Sequence, residues 1–339
     1  MNLLNLQPFG AVGCDPLETA REWLGEYGRI ALATVVSTWG SSPVPVGGQL
    51  VIAPGDRFQG SISGGCVEVD VITEAADVMA SGRPMLLEFG VANDTAWRAG
   101  LPCGGNIKIF LQRLEGPSDV RLLDEILAAR RARTTLMLLT DLSDGTRKIS
   151  EDPSSLPVDF REYTQLGESC VVPTSAGETF LHVLKPPVRL IIAGATHIGQ
   201  VLASLAQAIG YEVVVVDPRV AFASDERFAG TSAVTRWPAE SMADVGLDRR
   251  TAVVALTHVA NIDDEALTTA LCSDCLYIGA LGSRRTHEKR LDRLRETGFS
   301  DGMLSRIHAP VGLPIGAKGP AEIAVSILAE IIKTTRQPA

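Results

Sequence analysis

The sequence predicts an α/β protein in two parts, a mixed α+β N-terminal domain over residues 1–185 and a parallel-sheet domain over residues 186–339. Three observations predict it. A chain of 339 residues is long enough for two domains of ordinary size. Lys185-Pro186-Pro187 breaks both helix and strand and suits a linker. Beyond it strands and helices alternate, and strands such as Val213-Val214-Val215-Val216 are apolar on both faces, as a parallel sheet with helices on each side requires.

In chain order, the first element is a helix over 15–28, with Asp15 as N-cap, Pro16 at the first helical position and Gly28 at the end. Residues 30–37 are apolar and β-branched, a strand. A Pro/Gly-rich stretch over 40–48 leads to a strand over 49–53, closed by a Pro54-Gly55-Asp56 turn. A helix over 67–80 follows, then strands over 85–89 and 106–111 that flank a loop. The short connections imply antiparallel pairs. A helix over 119–132 and a strand over 134–140 precede a polar segment, 143–177, which reads as a hairpin and surface loops. A strand over 179–184 reaches the linker. Past it, strands are expected over 188–193, 212–216, 252–257 and 276–280, with a short one over 306–309. Helices separate them, and one over 320–335 closes the chain.

Composition narrows the function. The net charge is −9 and no long stretch is basic, so no nucleic-acid partner is expected. Aromatic residues make up only 5%, which argues against stacking platforms for bases or sugars. No run of roughly 18 apolar residues exists to span a membrane. The N-terminus lacks the basic region and cleavage site of a signal peptide. The six cysteines are too sparse for a disulfide framework and read as reduced thiols in the cytoplasm.

In a parallel sheet, ligands sit beyond the carboxyl ends of the strands. The first such end is Gly194-Ala195-Thr196-His197-Ile198-Gly199, which opens a helix whose N-terminus can hold an anion. Asp217 follows Gly194 by 23 positions, a spacing that suits a carboxylate on a ribose hydroxyl. The domain therefore reads as Rossmann-like, with NAD(P) or another nucleotide as a candidate ligand. Thr196 stands at the middle glycine position of that fingerprint. His258 and the Ser283-Arg284-Arg285 run mark two further strand ends, and His197 lies on the first loop. Arg284 and Arg285 suit a phosphate clamp, while Lys289 and Arg290 read equally as a solvated helix face. Asp263 and Asp264 read as caps of a helix after Asn261. Cys272 and Cys275 have CxxC spacing without a second ligand pair, and read as a helix end with one buried thiol.

The N-terminal domain carries its own loops. Gly60-Ser61-Ile62-Ser63-Gly64-Gly65-Cys66-Val67-Glu68 frees the backbone to form a concave array of N–H groups and sets Cys66 near a helix N-terminus, which favours a thiolate. Glu68 reads either as a base or as a stabiliser of the helix start. Cys103-Gly104-Gly105 repeats the pairing of cysteine with two glycines. With the loop over 40–48, these form a set that suits a polyanionic, sulfur-containing or metal-bearing ligand.

The chain resembles the XdhC/CoxI family of xanthine dehydrogenase accessory factors. The resemblance runs through Gly40-Ser41-Ser42-Pro43, the Gly60 to Glu68 motif and Cys103-Gly104-Gly105. It continues through the Gly194 loop, Asp217-Pro218-Arg219, Thr257-His258, Gly279-Ala280-Leu281-Gly282-Ser283-Arg284-Arg285 and Pro320-Ala321-Glu322-Ile323. That family reads Gly-Ala-Gly-His at the first loop, and Thr196 departs from it. The resemblance implies a cytoplasmic maturation factor, rather than a catalyst, that binds molybdenum cofactor. It would protect the cofactor during sulfuration and deliver it to a molybdenum hydroxylase apoenzyme. A cysteine desulfurase would be the sulfur donor, and a homodimer is expected. Cys66 and Cys103 are the candidate metal ligands it implies, with Ser63, Gly64, Gly65, Glu68, Gly104 and Gly105 around them. In the second domain the candidate binding residues are Gly194, Thr196, His197, Gly199, Asp217, His258, Ser283, Arg284 and Arg285.

Overall fold

A computed structural model describes residues 15–40, 42–90, 105–175, 177–223, 227–228 and 231–336. The chain divides into two compact units, Met1–Pro186 and Pro187–Ala339.

In the first unit, α1 (Pro16–Tyr27) starts where the sequence puts it: Asp15 accepts the Leu17 N–H at 2.9 Å, and Gly28 ends the helix in the left-handed region. Then come β1 (Arg29–Trp39), β2 (Gln49–Ala53), β3 (Arg57–Gly60), α2 (Glu68–Ser81), β4 (Met85–Phe89), β5 (Asn106–Glu115) and α3 (Gly116–Arg131). The strands form one antiparallel sheet in the order β3-β2-β1-β5-β4. Side chains alternate between its faces. Ile30, Leu32 and Val51 pack with Leu17 and Ala20 of α1 and Leu123 of α3. Ala31, Ala33, Val35 and Ile109 pack with Val71, Ala75 and Val78 of α2. β3 is not foreseen, because Arg57-Phe58-Gln59-Gly60 is mostly exposed and lacks an apolar alternation.

The β1–β5 ladder contains a bulge. Val35 faces Ile109 and Ser37 faces Lys108, so Val36 is an extra residue. Val36 packs with Phe110 and Phe180. Phe180 belongs to a second antiparallel sheet made of β6 (Leu136–Asp141), β7 (Arg147–Ser150), β8 (Cys170–Thr174) and β9 (Gly177–Leu184), in the order β7-β6-β9-β8. A helix, α4 (Val158–Leu166), lies between β7 and β8. The polar segment 143–177 is thus more ordered than the sequence suggests. A few scattered residues do this: Leu156, Phe160 and Val172 bury against Met137, Leu139 and Leu181. Their spacing shows no period.

The second unit runs β10 (Arg189–Ala193), α5 (His197–Ala208), β11 (Glu212–Val216), β12 (Ser232–Val234), α6 (Pro238–Val245), β13 (Thr251–Ala255), α7 (Ala260–Leu271), β14 (Tyr277–Ala280), α8 (Arg284–Glu296), α9 (Asp301–Leu304), β15 (Ile307–His308) and α10 (Pro320–Arg336). All pairs are parallel, in the order β12-β11-β10-β13-β14-β15. Counted within the unit this is 3-2-1-4-5-6, the Rossmann order, with its switch point between β10 and β13. Leu190 and Ile192 pack with α5 and α10 on one face, and Ile191 and Val253 with α7 on the other. Burial on both faces explains why these strands are uniformly apolar.

Candidate functional site

The register of the first sheet gathers its loops. Trp39 ends β1 opposite Asn106, Gly60 ends β3 opposite Leu50, and Phe89 ends β4 opposite Ile107. The chain therefore leaves the sheet at one end for 40–48 and 61–67, and leaves at Phe89 and returns at Asn106 there too. The first two loops touch. A Cβ on Gly48 would meet the Ser61 carbonyl at 3.6 Å, and one on Gly64 would meet Pro43 at 3.3 Å. His182 of β9 lies beneath this region, 2.8 Å from where a Gly47 Cβ would stand. Gly105 is buried just before β5, whereas Cys103 and Gly104 lie outside the described residues.

The concave N–H array expected before α2 is present, and the anion on it is the chain's own. Gly64 and Gly65 have φ of 77° and 109°, left-handed values that favour glycine. The backbone wraps around the Glu68 carboxylate. Oε1 accepts from Ile62 N at 3.2 Å, Ser63 N at 2.9 Å, Gly64 N at 3.1 Å and Ser61 Oγ at 2.9 Å. Oε2 accepts from Gly65 N at 2.9 Å, Val67 N at 3.3 Å and the Ser63 hydroxyl. Burial pushes this carboxyl up, but the hydrogen bonds from Ser63, Ser61 and Ile62 outweigh it and lower its pKa from 4.5 to about 2. Of its two sequence readings, Glu68 has the geometry of the second: a fixed negative charge at the helix start. Ser63 Oγ adds bonds from Cys66 N and Val67 N, each at 3.0 Å. Cys66 stands two residues ahead of α2, half-buried and free. The loop thus presents the thiol from a turn whose N–H groups are already satisfied.

The Gly194 turn is satisfied from within only in part, at the Gly194, Ala195 and Gly199 N–H groups. Gly194 packs against Thr257 across the switch point, 2.9 Å from its Cγ2 if a Cβ were added. Gly199 lies against the Gly194 carbonyl, so a side chain there would part helix from strand. Thr196 is the N-cap of α5, its hydroxyl accepting the Gly199 N–H at 3.2 Å. Asp217 is fully buried. It accepts from Ala195 N at 2.8 Å, from Arg219 N at 3.0 Å, and from Arg219 Nε and Nη2 at 2.8 and 2.7 Å. Burial pushes Asp217 up, but Arg219 and the Ala195 N–H hold it below the usual carboxylate range. Arg227, which the sequence did not single out, donates to the Ala195 carbonyl at 3.0 Å.

His197 is exposed at the first turn of α5. His258 and Arg285 share the wall of one pocket with residues of α7 and α8. His258 has a φ of 59°, uncommon for a residue with a side chain. Ser283 caps α8 through the Thr286 N–H at 3.2 Å, and Arg284 is exposed beside it. Asp263 does not cap α7, which starts earlier, at Ala260. It reaches back from the first turn to the Thr257 N–H at 3.0 Å and hydroxyl at 2.6 Å. Cys272 is exposed at the end of α7, and Cys275 is buried. Among the described residues no three His, Cys, Asp or Glu cluster as metal ligands, and no helix is long and apolar enough to cross a membrane.

Known proteins share this arrangement. Residues 190–331 match the model of the XdhC Rossmann domain, and residues 23–90 that of the XdhC and CoxI family. The "Molybdenum cofactor insertion chaperone PaoD" of Escherichia coli (strain K12) is 32% identical over 88% of this chain and 81% of its own. A probable xanthine dehydrogenase subunit of Bacillus subtilis (strain 168) is 27% identical over 93% of this chain and 96% of its own. A crystal structure of a xanthine dehydrogenase from Bacillus halodurans superposes with a TM-score of 0.79 at 24% identity, over 96% of this chain and 97% of that one, and so shares the fold. With both halves matched and a curated relative aligned over most of its length, the chain belongs to the XdhC and CoxI family.

Proposed function

We propose that this protein is a chaperone for molybdenum cofactor. It holds the cofactor while a cysteine desulfurase supplies sulfur, and then passes it to a molybdenum hydroxylase apoenzyme of the xanthine dehydrogenase kind. The relative named as a molybdenum cofactor insertion chaperone supports the class. The carrying observation is Cys66: a free, half-buried thiol on a fully hydrogen-bonded turn, at the sheet end where the other loops gather. A thiolate is a soft donor suited to a metal–sulfur centre, and a single protein thiolate allows the release that handover requires. Cys103 is the second candidate ligand. Because Glu68 fills the N–H array of its own loop, that array is not offered to the phosphate of the cargo. The protein acts in the cytoplasm as a homodimer, which light scattering on the purified chain checks.

The test is reconstitution. Purified protein mixed with molybdenum cofactor should retain it through gel filtration, read as the fluorescence of the oxidised pterin, and should activate an apo-hydroxylase. Cys66→Ser combined with Cys103→Ser should lose retention while keeping the fold. Full retention by that variant would remove the thiols from the reading. A second reading, nucleotide binding, is favoured by the Rossmann strand order. Against it, the Asp217 carboxylate is engaged by Arg219 and the Thr196 hydroxyl sits on the helix N-terminus. Titration with NAD and NADP decides it.

A further inference from the structure

A pocket of about 290 Å³ opens between α7 and α8, lined among others by His258, Asp263, Arg285, Lys289, Arg290 and Arg293. Arg290 is its most buried cation, 2% exposed. Its Nη2 donates to the Leu281 carbonyl at 3.0 Å, but Nε and Nη1 are buried without a hydrogen-bond partner among the described residues. Its nearest carboxylates stand too far for hydrogen bonds, Asp263 at 3.6 Å and Asp264 at 3.9 Å. Both are engaged elsewhere. Asp263 takes the Thr257 N–H and hydroxyl, and Asp264 takes Arg293 through two bonds at 2.6 and 3.0 Å. A buried guanidinium with open N–H groups is rare, and an acceptor oxygen placed in the pocket would satisfy them. Arg285 and Lys289 stand exposed on the same wall, and neither makes an ion pair with a described residue. The four cations of the wall meet two carboxylates, which leaves two positive charges in excess. The left-handed backbone of His258 adds its imidazole to the wall, and such strain concentrates at ligand sites.

We propose that this pocket binds a phosphate dianion, as the phosphate monoester of a small molecule, through the open donors of Arg290 with Arg285 and Lys289. Carboxylates carry one charge and two oxygens; a phosphate matches both the excess charge and the number of donors. The site uses neither the Gly194 turn nor Cys66, so phosphate binding here and retention of cofactor by the thiols are lost in different variants and fail distinguishably.

The test uses the full chain in phosphate-free buffer at constant ionic strength. Inorganic phosphate, ribose 5-phosphate and acetate are titrated separately by calorimetry and thermal unfolding. Saturable binding of both phosphates, at least about tenfold tighter than acetate, is expected. Arg285→Ala with Lys289→Ala should weaken it about tenfold while leaving the ligand-free unfolding temperature unchanged. Arg290→Met should abolish it, and if that variant does not fold the double variant decides alone. A linear, non-saturating response, equal binding of acetate, or an unaffected double variant would each overturn the proposal.

Discussion

The glycine turns before α2 and before α5 meet the same need in different ways. Each exposes backbone N–H groups at a helix start. The first closes on a single carboxylate from the next helical residue: Glu68 receives the N–H groups of residues 62–67 except that of Cys66, which goes to Ser63 Oγ. The second divides the work. Asp217, from the neighbouring strand, takes the Ala195 N–H and is shared with Arg219, while Thr196 takes the Gly199 N–H. The first turn is therefore a self-contained unit with one buried charge; the second depends on the sheet beside it. The difference teaches that a glycine motif fixes where donors will be, while the neighbouring acids decide whose oxygen they meet.

The comparison breaks first at Glu68. Glu68→Gln removes the charge and turns an amide NH₂ toward donors. A pKa held at about 2 instead of 4.5 corresponds to about 3 kcal/mol of stability, and urea unfolding should show a loss of that order. Acid should act on the same unit in two stages. Burial, with the charge of Arg130, lowers His182 from 6.5 to about 4, so this histidine is neutral when folded. The unfolded chain takes up that proton first, and stability present above pH 6.5 falls by about 3 kcal/mol as the pH drops to about 4. Glu68 then adds its own loss as the pH falls from 4.5 through about 2. His182→Gln should flatten the first stage in a stability profile against pH and leave the second.

The second turn should respond less to any one change, because its donors are shared out. Asp217→Asn should cost about 2 kcal/mol, since it weakens the bonds to Arg219 while keeping an acceptor for Ala195. Thr196→Ala should cost about 1 kcal/mol and Thr196→Gly only a few tenths, by thermal unfolding. If Asp217→Asn proved more damaging than Glu68→Gln, the contrast between a self-contained and a distributed turn would be wrong.

The sequence made some of this legible and hid the rest for identifiable reasons. Asp15, Pro16 and Gly28 mark both ends of α1 because caps are local chemistry. The apolar strands of the second unit announce a parallel sheet because burial on two faces leaves no polar position. β12 and β3 escape because three or four residues cannot display a period. At the site, Gly64 and Gly65 foretell an N–H array, but not its occupant. A glutamate in the first helical turn after that array was the available signal, since such a side chain reaches back to N–H groups before the helix. Lys289 and Arg290 read equally as a phosphate clamp or a solvated helix face, and what separates them is the burial of Arg290, which depends on α7 packing beside α8, a contact no local pattern encodes.

The extra residue at Val36 acts as a half-period phase shift on the strand that carries it. Past that point Thr38 lies opposite Ile107, on the face of α2, and the indole of Trp39 emerges on the other face, 72% exposed. The protein thereby owns an optical reporter at the end of the sheet from which the loops depart. Trp23 is buried, and Trp237 belongs to the other unit. With Trp97 and Trp237 replaced by Phe, the water-exposed component of the emission belongs to Trp39. Any ligand or partner that binds at that end can then be timed by colour and intensity, with no label attached.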